Sequence, residues 1–327
     1  MRVQRGRSFQ LTTMSNPRRI RALPLLAVPC CAGLLTGCEM VVLRPSGAIA
    51  EQQAQLLIVS TLLMLLIIVP VIVMTLVFAW RYRASNKDAP YTPEWDHSIQ
   101  LELLIWSAPL LIIIALGALT WIGTHTLDPY RPLDDKQAPR DLPPLEIQVV
   151  ALDWKWLFIY PGHNIATVNE LAAPLDAPLR FRITSSSVMN SFFVPALAGQ
   201  IYAMPNMETL LHAVINRPGE FEGFSANYSG AGFNGMRFRF LGMSAADFEA
   251  WVQKAKAGGG ELTRGEYVQL ELPSERVAVR RFAAVAPGLF DAIVNRCVDP
   301  AQKCHHELMN SDKHRASARS ASNVRPD

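Results

Sequence analysis

The order of apolar and polar positions divides the chain into two regimes. From Ala54 to Trp80 the run "AQLLIVSTLLMLLIIVPVIVMTLVFAW" holds no charged residue. It exceeds the ~20 residues that a helix needs to cross the hydrocarbon core of a bilayer. A second apolar run, "LLIWSAPLLIIIALGALTWIG", covers 103–123. Each contains one proline, Pro70 or Pro109, which membrane helices tolerate when a neighbour satisfies the freed carbonyl. Trp80, Trp106 and Trp121 lie near the ends of the runs, where aromatic belts form. Two transmembrane helices are predicted, within a hairpin spanning 38–127.

Beyond residue 127 the pattern changes. Residues 128–144, "DPYRPLDDKQAPRDLPP", carry five prolines and mixed charge and read as a linker. "LEIQVVALDWKWLFIYP" and "PLRFRIT" then alternate apolar with polar, as half-buried strands do. "TLLHAVINRPGEFEGFS" reads as two strands joined by a turn at 217–220. "MRFRFLGM" places Phe238 and Phe240 on one face and Arg237 and Arg239 on the other. Short strands with Pro/Gly turns across 145–285 predict an all-β sandwich or barrel. The sandwich is expected to end at "SAADFEAWVQKAKAGGG", a surface helix. Ser244 and Asp247 make its capping signal, Phe248, Trp251, Val252 and Ala255 share one face, and Gly258 stops it. In 286–327, "GLFDAIVNRCV" is predicted helical, and "HRASARSASNVRPD" has the composition of a disordered tail.

Composition agrees with the spans. Half of the 327 residues are hydrophobic and the mean hydropathy is +0.15, unusual for a purely soluble chain. A net charge of +3, with no basic block interleaved with aromatics, argues against nucleic acid as a partner. Arg81, Arg83 and Lys87 follow the first span, so the positive-inside rule puts the connecting loop in the cytoplasm and both termini outside. Arg18, Arg19 and Arg21, then an apolar stretch, then Leu35-Thr36-Gly37-Cys38 read as an export signal over 1–37. The tetrapeptide resembles a bacterial lipobox, which implies lipidation at Cys38; the plainer alternative is an ordinary signal peptide with a chance cysteine. Met14 is an alternative start.

The stretch "FSANYSGAGFNGMRF", 224–238, has the rhythm of a ligand loop. Ser225, Ser229, Phe233 and Met236 stand at offsets 0, 4, 8 and 11. On these residues, on the hairpin and sandwich around them, and on "DWKW", "VNELAAP", "SVMNSFFVP" and "QIYAMPNM", the chain resembles subunit II of haem–copper respiratory oxidases. The resemblance covers nearly the whole chain and runs closest to the cytochrome bo-type ubiquinol oxidases. It implies a cupredoxin-like sandwich on a two-helix membrane hairpin, with helices at the C-terminus.

In the cytochrome c oxidases of that family the loop reads C-x-x-x-C-x-x-x-H-x-x-M, and an upstream histidine completes a dinuclear copper centre. The matching positions here are Asn190, Ser225, Ser229 and Phe233, with only Met236 retained. Copper in such a centre needs thiolates and imidazoles, so no metal is expected in this chain. The resemblance places the haems and one copper in a partner, subunit I, together with the quinol site. It implies a structural role for this chain within a complex of subunit I, further subunits and membrane lipid.

Glu102 stands at the cytoplasmic mouth of the second span. By position alone it is an interfacial acid reaching the headgroups. The resemblance implies a carboxylate that feeds protons to subunit I. Cys297 and Cys304, followed by His305 and His306, allow a disulfide or a small metal site, and an oxidising compartment favours the disulfide. His163 and His212 read as surface or strand residues, and Trp154 and Trp156 as packing. Between Leu145 and Val285 there are 13 acidic and 12 basic residues, a poor docking surface for a basic cytochrome. Two alternatives stand beside the quinol oxidase reading. One is a cytochrome c oxidase subunit with a degenerate loop, and the other a lipid-anchored binding or assembly protein of the same fold.

Overall fold

The computed structural model describes residues 40–134, 137–138, 143–299 and 301–305. The expected signal segment, Cys38 and the expected tail beyond residue 305 lie outside the described residues. Two long helices come first, α1 (Ala48–Arg81) and α2 (Ile99–Thr126). Both are long and apolar enough to cross a membrane, and their side chains face outward. A Cβ on Gly123, late in α2, would lie 3.2 Å from Leu56 Cδ2, early in α1, so the helices pair as an antiparallel hairpin.

The helix α1 begins six residues before the uncharged run. Its first turns carry Ile49, Ala50 and Ala54, all buried, and Ile49 joins the core of the β domain. The chain before it is tied down as well. Ser46 N and Gly47 N both donate to Ala196 O at 2.9 Å, and Asn216 N donates to Ser46 O at 2.9 Å. Gly47 forms a β-bridge with Ile215. A side chain at Gly47 would meet Leu197 O and Val214 O, each at 2.6 Å, so the close backbone approach requires glycine.

The strands are β1 (Leu145–Leu152), β2 (Lys155–Tyr160), β3 (Ile165–Val168), β4 (Glu170–Pro174), β5 (Leu179–Ser185), β6 (Asn190–Phe193) and β7 (Ile201–Ala203). They continue as β8 (Thr209–Ala213), β9 (Gly219–Ser225), β10 (Arg237–Met243), β11 (Glu261–Leu262), β12 (Arg280–Phe282) and β13 (Ala284–Val285). A six-stranded sheet in the order β12-β3-β2-β1-β5-β8 faces a five-stranded sheet in the order β4-β10-β9-β6-β7. Between them lie Trp156, Phe158, Phe181, Phe192 and Phe238, with the rings of Phe192 and Phe238 stacked at 5.4 Å. Tyr160 on β2 joins the sheets: its hydroxyl donates to Ala172 O and accepts from Ala172 N, both at 2.9 Å.

Three expectations are corrected. The strands β1 and β2 are not half-buried; Lys155–Tyr160 is buried throughout, because a second core covers the outer face of the six-stranded sheet. That core includes Val150, Leu157 and Ile159 from the sheet and Tyr267, Leu270, Phe290 and Ile293 from helices α4 (Arg264–Glu271) and α5 (Leu289–Val294). Secondly, the sandwich does not end before the helix at 245. After α3 (Ala245–Gly258) and α4, β12 returns to pair with β3. Thirdly, β8 and β9 belong to different sheets, so the turn between them is a crossover.

The helix α3 matches its prediction. The Ser244 hydroxyl accepts from Asp247 N, and the four predicted residues are its buried ones. Gly258 is its last residue, with Gly259 as the cap. The linker is not free of the domain, since His212 N donates to Pro129 O at 3.1 Å.

Candidate functional site

At one end of the sandwich, β6, β9 and the turn before β10 bring all five ligand-loop positions together. Asn190 opens β6 and Ser225 closes β9, and both are buried. The Ser225 hydroxyl donates to Asn190 Oδ1 at 3.0 Å, while Asn190 Nδ2 donates to Val188 O at 3.2 Å. Ser225 N donates to Met236 O at 3.2 Å, which closes the loop at its neck. Met236 is fully buried, and Ser229 Oγ lies 4.0 Å from its Sδ. Phe233 is half-buried and packs edge-on against Tyr228 at 5.6 Å.

Trp154 holds the loop from beneath. It sits in the tight turn between β1 and β2 at φ 97°, an unusual conformation for a bulky residue. Its Nε1 donates to Ser229 O at 2.9 Å. Gly232 lies flat on the indole, where an added Cβ would stand 2.5 Å from Trp154 Cδ2. This tryptophan therefore shapes the loop rather than only packing in a core. Trp156 is fully buried between the sheets.

The side chains do not fit a copper centre. The set consists of an amide, two hydroxyls, a phenyl ring and one thioether. It lacks the thiolates and imidazoles that copper of this type requires. The two innermost members already satisfy each other by hydrogen bonding. Among the described residues no group of three or more His, Cys, Asp or Glu side chains could hold a metal. Cys297 and Cys304 form a disulfide, Cα–Cα 4.7 Å, at the edge of the second core. His163 packs on Phe248 at 5.4 Å, and His212 Nδ1 lies 3.2 Å from Pro129 O.

Sequence reasoning missed two buried charges. Glu170, at the start of β4 in "VNELAAP", is 1% exposed. It accepts from Arg239 Nη2 at 2.7 Å, Arg281 Nε at 3.0 Å and Trp251 Nε1 at 3.0 Å. Burial pushes this carboxyl up, but the bonds from Arg281, Trp251 and Arg239 together hold it below the usual carboxylate range. One side chain thus locks β4, β10, β12 and α3 together. Lys155 in "DWKW" is equally buried. Its Nζ donates to Leu272 O at 2.8 Å, Ser274 Oγ at 2.7 Å and Asp153 O at 3.1 Å, pinning the segment after α4 to the sandwich. Burial pushes the Lys155 ammonium down, against the pull of Asp153 and Glu271. Only an interrupted apolar run marked these positions. A capping signal of the kind seen at Ser244 does stand before α4, where Thr263 accepts from Glu266 N at 3.2 Å.

Glu102 lies in the first turn of α2, away from the sandwich loop. Its Oε1 is 2.7 Å from His97 Nδ1.

Two family models match the chain. "Cytochrome C oxidase subunit II, periplasmic domain" covers 147–239, and "COX Aromatic Rich Motif" covers 256–301, the stretch that builds much of the second core. Cytochrome bo(3) ubiquinol oxidase subunit 2 of Pseudomonas putida is 51% identical over 298 residues, 90% of this chain and 92% of the relative. The chain belongs to the ubiquinol oxidase subunit 2 family. Ubiquinol oxidase subunit 2 of Acetobacter aceti is 50% identical over 80% of this chain and 84% of its own length. The periplasmic domain of subunit II of cytochrome oxidase (CoxB) of Bradyrhizobium japonicum is also similar, with 22% identity, TM-score 0.34, and coverage of 35% of this chain and 94% of that one. Membership in the ubiquinol oxidase subunit 2 family agrees with the resemblance read from the loop and the hairpin. It also agrees with the architecture of two apolar helices, a cupredoxin-like sandwich and C-terminal helices.

Proposed function

We propose that the chain is the non-redox subunit II of a proton-translocating ubiquinol oxidase, the complex that reduces oxygen to water in aerobic respiration. The observation that carries this reading is the loop at 225–236. The positions that match the copper-ligand loop present a hydrogen-bonded Asn190–Ser225 pair, a second hydroxyl, a phenyl ring and one thioether, with no thiolate or imidazole. A chain without that relay has no means of receiving electrons from a cytochrome at its outer face. Ubiquinol within the bilayer is the donor that remains, oxidised in subunit I, where the haems and one copper carry out the oxygen chemistry.

The chain's own work in this reading is to brace. The hairpin packs on subunit I within the bacterial inner membrane, and the sandwich covers its periplasmic face. Cys38, just before the segment tied down at Ser46, carries the lipid anchor. Glu102 supplies a carboxylate at the cytoplasmic mouth of a proton path into subunit I.

Oxygen uptake by the purified complex, driven by ubiquinol and separately by reduced cytochrome c, tests the donor. Ubiquinol is expected to support turnover and cytochrome c is not; the reverse defeats the reading. Copper quantitation is expected to give no copper attributable to this chain. Glu102→Ala is expected to slow quinol-driven turnover, and unchanged turnover and pumping would remove Glu102 from the path.

A further inference from the structure

The helical hairpin and the β domain meet around a cavity of about 80 Å³. Gln53 of α1, Thr126 of α2, Arg131 of the linker, Gly199 and His212 of β8 line it. A water molecule takes about 30 Å³ in the liquid, so the space has room for two or three, or for one tetrahedral group of that bulk.

Both helices fix its depth. Gln53 stands immediately before the uncharged run that begins at Ala54. Thr126 lies three residues beyond the second apolar run, which ends at Gly123, a rise of about 4.5 Å. The headgroup layer on each side of the hydrocarbon core is about 5–7 Å deep, so the cavity falls within it. Trp121, exposed on α2 below Thr126, marks the boundary as aromatic belts do.

The linker turn presents Arg131 to this space. Tyr130 N donates to Asp128 Oδ1 at 2.9 Å and Arg131 N to Asp128 O at 3.0 Å, which closes the turn and occupies one oxygen of a carboxylate that also lines the cavity. Arg131 Nη1 reaches His125 O at 3.5 Å, and most of its fork of donors stays uncommitted among the described residues. Gln53 adds an amide, its Nε2 lying so close over Gly199 that a Cβ there would stand 2.6 Å away. His212 spends its backbone N and its Nδ1 on Pro129 O, at 3.1 and 3.2 Å, which leaves Nε2 as the free ring nitrogen. A guanidinium fork beside an amide N–H is the donor set that phosphoryl oxygens take.

We propose that the cavity holds the phosphodiester of a phospholipid from the outer leaflet, with Arg131 and Gln53 donating to its oxygens. This rests on the reading of α1 and α2 as spans with the sandwich outside. The acyl chains continue down the exposed apolar sides of the helices. One lipid then touches α1, α2, the linker and β8 together and fastens the sandwich to the hairpin. A free phosphate ion would meet the same donors without the chains, so the two sources can be told apart.

The test uses the assembled oxidase, washed extensively in mild detergent and weighed by native mass spectrometry, with haem content confirming assembly. A lipid in the cavity is lost on denaturation, whereas acyl groups attached at Cys38 stay, so the two are counted apart. Arg131→Gln is expected to lose a single phospholipid relative to the parent. Gly199→Leu, whose side chain enters the space of Gln53, is expected to lose the same one. Amide exchange across 126–131 is expected to quicken in the delipidated parent. Vesicles of phosphatidylethanolamine and phosphatidylglycerol are expected to restore protection, and inorganic phosphate is not. Equal lipid counts in the parent and both variants overturn the site. Protection by inorganic phosphate to the same degree assigns the cavity to a free anion and overturns the lipid. A sandwich that protease reaches only from the cytoplasmic side overturns the topology beneath the proposal, whatever the lipid count.

Discussion

The hydroxyl of Ser225 donates to Oδ1 of Asn190 at 3.0 Å, linking the end of β9 to the start of β6 inside the sandwich. Ser191 N reaches the same hydroxyl at 3.4 Å. The pair makes the buried neck of the loop self-sufficient, because each polar group has a protein partner. Ser225→Ala removes the donor and strands a buried amide oxygen, a loss of about 1–3 kcal/mol. The oxidase is expected to melt at a lower temperature while ubiquinol-driven oxygen uptake persists. Loss of turnover at unchanged thermal stability would show that the serine takes part in the chemistry.

Trp154 and Gly232 form the support of the same loop. A methyl group at 232 cannot fit 2.5 Å from the indole, so Gly232→Ala forces the tryptophan off Ser229. Overpacking of this kind costs about 1–3 kcal/mol. Faster amide exchange across 226–236, with β1 and β2 still protected, is the expected signature.

Glu170 gives the β domain an acid limit. Its carboxyl is held below the ordinary range in the folded state, so folding favours the ionised form. The stability this contributes is present above the unfolded carboxyl value and is lost as pH falls through the lowered folded value. Glu170→Gln keeps the shape but leaves Arg239 and Arg281 without their anion. The variant should be less stable at neutral pH and show a flatter stability–pH curve in acid. Melting curves taken between neutral pH and about pH 3 read both effects. A parallel offset with the parental acid slope would assign the slope to other carboxyls.

The Cys297–Cys304 bridge closes a short loop against the second core. Chain-entropy arguments give about 2–3 kcal/mol for a loop this short. After reduction, proteolysis is expected near 298–305, while α3 and the inter-sheet core stay protected. His305 N donates to Asn295 O at 2.8 Å, so that contact should be lost in the same step.

The architecture was legible where one physical rule acted alone. Uncharged runs longer than a bilayer gave both spans, and Ser244 with its four apolar partners gave α3 to within a residue. The loop positions were legible because their offsets survive when the ligands do not. Rules that compete in space hid the rest. The apolar residues of β1 and β2 satisfy two cores at once, so their pattern suggested half-buried strands. β12 pairs with β3 across more than a hundred intervening residues, and no local signal announces that pairing. Glu170 and Lys155 look like surface charges in one dimension; only the folded chain brings Arg239, Arg281 and Leu272 to them.

The tie between Gly47 and Ile215 has a consequence for how the protein is made. The residues that lead into the first membrane helix complete a backbone pairing with a residue some 170 positions later. That pairing cannot form until the chain through residue 215 has crossed the membrane. Closure of so long a loop is entropically costly and kinetically late. The order of biogenesis follows: both helices are placed first, the strands assemble next, and the start of the chain is fastened to the sandwich last. A ribosome stalled before residue 215 should therefore leave the stretch around Ser46 open to protease from outside, and release of the full chain should close it.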